Sequence, residues 1–190
     1  MDDSRAHLDL SRIALSSPDF DGVIESLAET LVQSCMPLSA LALVGIRTRG
    51  VPLAQRLAAT IKRLTGDEVE VGALDITLYR DDVFQGMAIP EVGITELPFE
   101  VEGRAIVLVD DVFYTGRTVR AALDALMDFG RPKWIKLLVL VDRGHHELPI
   151  RPDYCGLSLE TDQNESVEVR INEFDLEDRI AVFRRKDGRS

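Results

Sequence analysis

The residues best suited to chemistry lie in one short stretch, where Asp110 and Asp111 are followed by the loop Thr115-Gly116-Arg117-Thr118. Such a loop ahead of a helix is typical of a phosphate site, because first-turn N–H groups lack partners and carry the positive end of the helix dipole. Gly116 lets the backbone approach an anion closely, since it has no Cβ. Two adjacent carboxylates would repel a bare phosphate ester, so we expect them to accept sugar hydroxyls or to face Mg²⁺ carried by the ligand. The alternative is an ordinary strand–turn–helix connection, but capping needs only one Asp and does not explain the loop.

A second loop, Arg47-Thr48-Arg49-Gly50, follows an apolar run and precedes another helical pattern. Guanidinium groups and backbone N–H groups at the end of a strand indicate a second anion site. A solvated turn is the alternative interpretation. Two phosphate-type loops on neighbouring strands fit a ligand that carries phosphate at both ends.

The elements that position these loops alternate between strand and helix. Apolar runs without polar alternation predict strands buried on both faces, and the alternation predicts a right-handed parallel α/β sheet. The predicted central strands are 41–46, 69–77, 106–109 and 136–141, with further strands at 167–171 and 179–183 and a loop or short edge strand at 154–159. The predicted helices are 7–15, 19–35, 51–64 and a fourth that begins at the Thr115 loop.

Four blocks in this order carry a resemblance to a known family: 43–50, 75–82, 106–118 and 140–151. The third resembles the phosphoribosyl pyrophosphate (PRPP) motif of the type I phosphoribosyltransferases. Together the four resemble the bifunctional pyrimidine operon attenuation regulators with uracil phosphoribosyltransferase activity, and the likeness covers roughly residues 10 to 184.

The resemblance implies one phosphoribosyltransferase domain over residues 1–190, with a central parallel sheet of about five strands flanked by helices and a small hood. Residues 78–98 contain several Gly and Pro and little periodicity, which favours an active-site lid, and the family has a flexible flap there. The polar segment 184–190 is predicted to be a frayed tail.

The implied reaction converts uracil and PRPP into UMP and pyrophosphate, with Mg²⁺ on the pyrophosphate. Displacement at C1′ makes catalysis mainly a matter of positioning and electrostatics. The resemblance places Asp110, Asp111 and Arg80 in catalysis, the two aspartates reaching the metal only through PRPP. It places Thr48, Arg49 and Gly50 on the pyrophosphate, Thr115, Gly116, Arg117 and Thr118 on the 5′-phosphate, and Val141 and Arg143 near the base.

An RNA-binding role is the second function that the resemblance implies, with pyrimidine-operon leader mRNA as the partner. Arg12, His145 and Arg151 are the candidate contacts, whereas the family's basic residues are replaced by the set Leu15, His146 and Leu157. The net charge of −11 is a poor overall field for RNA. Two alternatives therefore stay open: an RNA-binding regulator with weak transferase activity, and a transferase for another base such as hypoxanthine.

Composition sets the remaining expectations. A chain of 190 residues with 45% hydrophobic content can bury one substantial core. The start of the sequence is acidic and its apolar runs are too short for a bilayer, while Cys35 and Cys155 are too few for a disulfide framework. We therefore expect a cytoplasmic protein without a membrane partner, and the family implies a homodimer or a higher homo-oligomer.

Overall fold

A five-stranded parallel sheet forms the centre of the protein in the computed structural model, which describes residues 8–80 and 93–185. The strand order is β3-β2-β4-β5-β6, and every neighbouring pair is parallel. The strands are β2 (Leu41–Ile46), β3 (Glu70–Leu74), β4 (Ala105–Phe113), β5 (Trp134–Asp142) and β6 (Tyr154–Ser158). The predicted α/β class is confirmed.

Helices cover both faces of this sheet, which is why its inner strands are apolar without alternation. The helices α1 (Ser17–Ser34) and α2 (Gly50–Thr65) pack on one face, and α3 (Arg117–Met127) packs on the other. All six residues of β2 are buried. The two faces form separate apolar clusters, so the sheet is the rigid layer from which the loops at its carboxyl edge project.

A smaller antiparallel sheet, here called the hood, lies beside the main sheet. It contains β1 (Leu8–Leu15), β7 (Glu165–Arg170) and β8 (Arg179–Arg185) in the order β1-β8-β7. The single-turn helix α4 (Asn172–Asp175) connects β7 to β8. The hood thus combines two segments that are far apart in sequence.

The predicted helix at residues 7–15 is wrong, because residues 8–15 form the strand β1. Its pairing with β8 shifts register twice, between Leu10 and Arg12 and between Ile13 and Leu15. Each irregularity changes which side chains share a face, so the segment shows no clean alternation. As a result, the spacing of its apolar residues is similar to that of a helix.

Other boundaries also differ from prediction. The second central strand ends at Leu74 rather than at residue 77, and a 3₁₀ turn occupies Thr77–Tyr79. The strand β4 continues through the acidic pair to Phe113 because it stays paired with β5. Of the predicted tail, residues 184–185 belong to β8 and 186–190 lie outside the described residues, as do residues 81–92 of the predicted flap. Within the described ranges, no helix has the length and apolar character that crossing a membrane requires.

Candidate active site

The acidic pair lies near the carboxyl end of the central strand β4. Asp110 is 6% exposed, and its Oδ1 accepts a hydrogen bond from the backbone N–H of Asp111 at 3.0 Å. The Oδ1 of Asp111 accepts from the backbone N–H of Val112 at 2.9 Å. Each carboxylate is therefore oriented by the backbone that follows it, so both side chains are positioned before any ligand arrives.

Burial raises the pKa of both carboxyl groups. The pKa of Asp110 lies well above its usual value, first because of burial and then because of the neighbouring charge of Asp111. Burial likewise raises the pKa of Asp111, although its hydrogen bonds and the nearby charge of Arg49 act in the opposite direction. Two carboxylates held together out of water are costly without a ligand, and donors such as sugar hydroxyls or a ligand-borne cation would relieve that cost.

The second loop lies directly against the acidic pair. A Cβ on Gly50 would lie 2.2 Å from the carbonyl oxygen of Val109 and 3.4 Å from the Cα of Asp110. Only glycine allows this approach of α2 to β4. The peptide between Arg47 and Thr48 is cis, and Thr48 is exposed in the loop. The structure therefore brings Gly50 against Asp110, with the charge of Arg49 near enough to act on Asp111.

Arg49 also contacts the hood. Its Nη2 donates to both carboxylate oxygens of Asp175, each at 3.1 Å. Seven residues further along α2, Arg56 donates to Glu173 through Nε at 2.8 Å and to Asp178 through Nη2 at 2.9 Å. Arg49, directly before α2, and Arg56, within it, thus hold the segment around α4 in place.

The predicted 5′-phosphate loop encloses a cavity. The cavity has a volume of about 270 Å³ and is lined by Arg80 and residues 112–119. Gly116 has φ +92°, a left-handed conformation that favours glycine, and α3 begins at the next residue. Thr115 and Thr118 are half-buried in the wall. The first turn of α3 and the two Thr residues therefore line a cavity large enough for a phosphate group, at a helix N-terminus that favours an anion.

The loop is braced from the following connection. The backbone oxygen of Thr115 accepts from the N–H groups of Glu147 and Leu148 at 3.0 and 3.2 Å. The guanidinium of Arg117 donates to Glu147 Oε2 through Nε and Nη2 at 3.0 and 2.8 Å. Both of these side chains are about half exposed, so an anion in the cavity can compete for the guanidinium.

The two residues predicted near the base are placed differently from the phosphate loops. Val141 is fully buried, and its position in β5 is paired with β4 on one side and with β6 on the other. Arg143 is 7% exposed, donates through Nη2 to the backbone oxygen of Glu165 at 2.6 Å, and stacks over the ring of Tyr114 at 4.1 Å. Its guanidinium links the hood to Tyr114, the residue directly before the phosphate loop. Its contact with the base stays a prediction.

The RNA candidates do not form one free basic surface. Arg12 is half exposed, but it donates to Glu165 at 3.3 Å and to the backbone oxygen of Glu160 at 2.8 Å. His145 is exposed and its Nε2 contacts the backbone oxygen of Thr161 at 2.6 Å. Arg151 is exposed, and its Nη1 donates to the nearby backbone oxygens of Leu148 and Ile150.

Three further residues at this edge were not predicted. Asp142 ends β5 and accepts from the backbone N–H of Gly144 at 2.9 Å and from Nε2 of His146 at 2.7 Å. The same reasoning that identified Asp110, namely a carboxylate at the end of a buried strand, would have identified Asp142. Tyr114 and Asp175 carry no such signal, because they act through partners distant in the sequence.

Comparison with known proteins places this geometry in a family. The phosphoribosyl transferase domain family matches residues 15–176. The bifunctional protein PyrR of Pelotomaculum thermopropionicum is 56% identical over 168 residues, covering 87% of this chain and 93% of the relative. PyrR of Thermus aquaticus is 51% identical over 172 residues, covering 90% of this chain and 95% of that protein. Among solved structures, hypoxanthine phosphoribosyltransferase of Trypanosoma cruzi has a TM-score of 0.68 with 15% identity and covers 92% of each chain, which supports the fold alone.

Proposed function

The chain belongs to the phosphoribosyl transferase domain family and, within it, to the bifunctional PyrR proteins, and from that premise we propose that it is a uracil phosphoribosyltransferase. It transfers the phosphoribosyl group of PRPP to uracil and releases UMP and pyrophosphate. The observation that supports this most strongly is the meeting of two anion loops, 47–50 and 115–118, at one buried acidic pair.

The chemistry divides among these groups. The bond between C1′ and the pyrophosphate oxygen breaks, the bond between C1′ and N1 of uracil forms, and the N1 proton leaves to solvent. Thr115, Gly116, Arg117 and Thr118 hold the 5′-phosphate far from the reacting bond. Asp110 and Asp111 accept the ribose hydroxyls, and their negative charge favours the positive ring of the transition state.

The leaving pyrophosphate is the charge that most needs stabilisation. Arg49, Thr48 and Gly50 lie at the N-terminus of α2, where backbone N–H groups and the helix dipole favour an anion. Arg80 lines the phosphate cavity and is the further cation that we assign to the ligand. Binding at both ends of PRPP leaves C1′ between the two loops, above the acidic pair.

Mg²⁺ fits this donor set as part of the substrate complex. Oxygen donors from two carboxylates and a pyrophosphate suit this ion, which keeps several waters and seldom uses an all-protein cage. Within the described residues, no three His, Cys, Asp or Glu side chains converge as a metal site. Asp110 and Asp111 would therefore hold the ion indirectly through PRPP, and the ion would neutralise the leaving pyrophosphate.

A second function, binding of a pyrimidine-operon leader mRNA, is supported by the PyrR relatives and by exposed Arg151 and His145. The net charge of −11 and the ion pair of Arg12 with Glu165 reduce the cationic surface available for it. A gel shift with the organism's own leader at two salt concentrations tests this role. Equal, weak binding to an unrelated RNA would argue against it.

The transferase proposal is tested by formation of UMP from labelled uracil with PRPP and Mg²⁺. We expect turnover with uracil to exceed turnover with hypoxanthine or guanine in the same assay. Thr115→Val should raise KM for PRPP, whereas Thr30→Val, a matched change on the exposed side of α1, should leave it unchanged. Folded protein that makes no UMP would overturn the assignment, and preference for a purine would change the substrate.

The proposal also includes a cytoplasmic location and a homo-oligomeric state. Cys35 and Cys155 are unpaired, which suits a reducing compartment. Light scattering in solution measures the oligomer directly.

A further inference from the structure

Arg49 lies in the 47–50 loop and is held at one end of its guanidinium. Its Nη2 bonds to both carboxylate oxygens of Asp175, and its Nε is buried without a hydrogen-bond partner among the described residues. The side chain is nevertheless 29% exposed, and no described residue accepts a hydrogen bond from Nη1. A guanidinium that is partly exposed and only partly engaged can donate to an acceptor that arrives with the ligand.

The neighbourhood of Arg49 identifies that acceptor as an anion bound at the carboxyl edge of the sheet. Gly50 places the loop against Val109 and Asp110, and the charge of Arg49 is close enough to affect Asp111. The guanidinium thus lies between the acidic pair and Asp175. Because Nη2 bonds to Asp175 and Nε is buried, Nη1 is the donor available to a pyrophosphate oxygen.

Asp175 is itself held firmly enough to orient its partner. Its Oδ2 accepts from the backbone N–H of Ile171 at 3.0 Å, which closes the turn of α4. The segment around it is fixed to α2 mainly through Asp178, which accepts from Arg56 at 2.9 Å and from the backbone N–H of Asn172 at 2.9 Å, so this anchor does not depend on Glu173. Because both carboxylate oxygens bond to Nη2, this end of the guanidinium is held against the hood.

We propose that Asp175 is a positioning residue of the transfer reaction, which orients Arg49 so that its guanidinium meets the pyrophosphate of PRPP. This inference rests on the proposed function, because it assigns a partner to a residue of that same site. It makes the hood part of the pyrophosphate site through one carboxylate. It also explains why Arg49, which we assign to the ligand, already bonds to an acidic residue.

The test measures PRPP binding and turnover for Asp175→Ala, with Glu173→Ala as the matched control. Glu173 belongs to the same helical turn and also bonds an arginine of α2, but that arginine is Arg56 rather than Arg49. We expect Asp175→Ala to raise KM and Kd for PRPP about 5- to 10-fold while KM for uracil stays constant, the loss corresponding to one charged hydrogen-bond arrangement. Glu173→Ala should leave both PRPP constants within about 2-fold of wild type.

A double-mutant cycle decides whether Asp175 acts through Arg49. In an Arg49→Ala background, Asp175→Ala should have no further effect on Kd for PRPP. Asp175→Asn, which keeps an acceptor oxygen but loses the charge, should fall between wild type and Asp175→Ala. Additive effects in the cycle, or equal effects of Asp175→Ala and Glu173→Ala, would overturn the inference and reduce Asp175 to a structural contact of the hood.

Calorimetric binding of PRPP with Mg²⁺, without uracil, separates this inference from the proposed function. If wild type binds PRPP but makes no UMP, the transferase assignment fails while the cycle on Kd still tests Asp175. If wild type binds no PRPP, both fail. Thermal unfolding of each variant confirms that the compared proteins are folded.

Discussion

Replacing Gly50 with alanine tests whether the two loops depend on close contact between α2 and β4. The added Cβ would lie 2.2 Å from the carbonyl oxygen of Val109. An ordinary contact requires the two backbones to separate by about 1 Å, and a misplacement of that size costs on the order of 100-fold in rate. The clash involves backbone on both sides, so a change of side-chain rotamer offers no relief. We expect kcat/KM for PRPP to fall by about two orders of magnitude.

The same substitution should lower stability only modestly. Overpacking of this kind costs about 1–3 kcal/mol. For a chain of 190 residues, each kcal/mol shifts Tm by about 2–4 °C, so the variant should remain folded at the assay temperature. The loss of activity would then exceed what unfolding explains.

Gly22→Ala is the matched control for this experiment. Gly22 lies within α1, and a Cβ there would meet nothing within 4 Å. Alanine in a helix is better than glycine by about 0.5–1 kcal/mol, so this variant should melt slightly higher with unchanged kinetics. Steady-state kinetics with varied PRPP and a thermal melt provide both readouts. If Gly50→Ala retained kcat/KM within about 3-fold of wild type, the claim that this contact sets the site's geometry would be refuted.

Three further outcomes are expected. Asp110→Asn should abolish turnover yet raise the unfolding free energy at pH 8, because burial raises the pKa of Asp110 and makes its charged form destabilising. The difference in unfolding free energy between the variant and wild type should shrink as the pH falls through that raised pKa. Glu165→Gln should destabilise the protein at pH 7, because the N–H of Asp162 and nearby arginines lower the pKa of Glu165. The difference in unfolding free energy from wild type should narrow as the pH falls below 4.5, the ordinary pKa of a Glu carboxyl, because the wild-type carboxylate then becomes protonated. Arg151→Ala should weaken leader RNA binding and reduce the salt slope by about 1 without changing Tm, whereas Arg12→Ala should lower Tm as well, since it loses Glu165.

Each of these expectations has a clear opposing result. A lower melting temperature for Asp110→Asn at pH 8 would contradict the unfavourable burial of its charge. A pH-independent effect of Glu165→Gln would mean that the charge of Glu165 is unimportant for the hood. Loss of stability in Arg151→Ala equal to that in Arg12→Ala would show that Arg151 is structural.

The parts of the fold that follow from local pattern were predictable. The strand at 41–46 was placed to the residue, since both faces of an inner parallel strand are covered and the apolar run is continuous. The loops that follow such strands lie at one edge of the sheet, so their proximity could also be predicted. From the sequence, that rule alone indicates that Asp110, Asp111 and Gly50 lie near one another.

What escaped prediction depends on partners far away in the chain. The strand at 8–15 has its partner at residues 180–185, and bulges hide its alternation. Arg49 meets Asp175 across 126 residues, and Arg12 meets Glu165 across 153. The sequence pattern identifies these arginines as cations, but it does not show which carboxylates they pair with. The predictions treated them as free for ligands, whereas the structure gives each one an acidic partner.

The pairing of β1 with β8 has a consequence for the order in which the protein is made. The strand at residues 8–15 cannot pair until residues 179–185 have been translated. A nascent chain halted before that point contains the strands of the main sheet, but its segment 8–15 has no β8 to pair with. Asp175 reaches Arg49 from the connection just ahead of β8, so a chain halted before residue 175 lacks this contact of the pyrophosphate site and is expected to be less active.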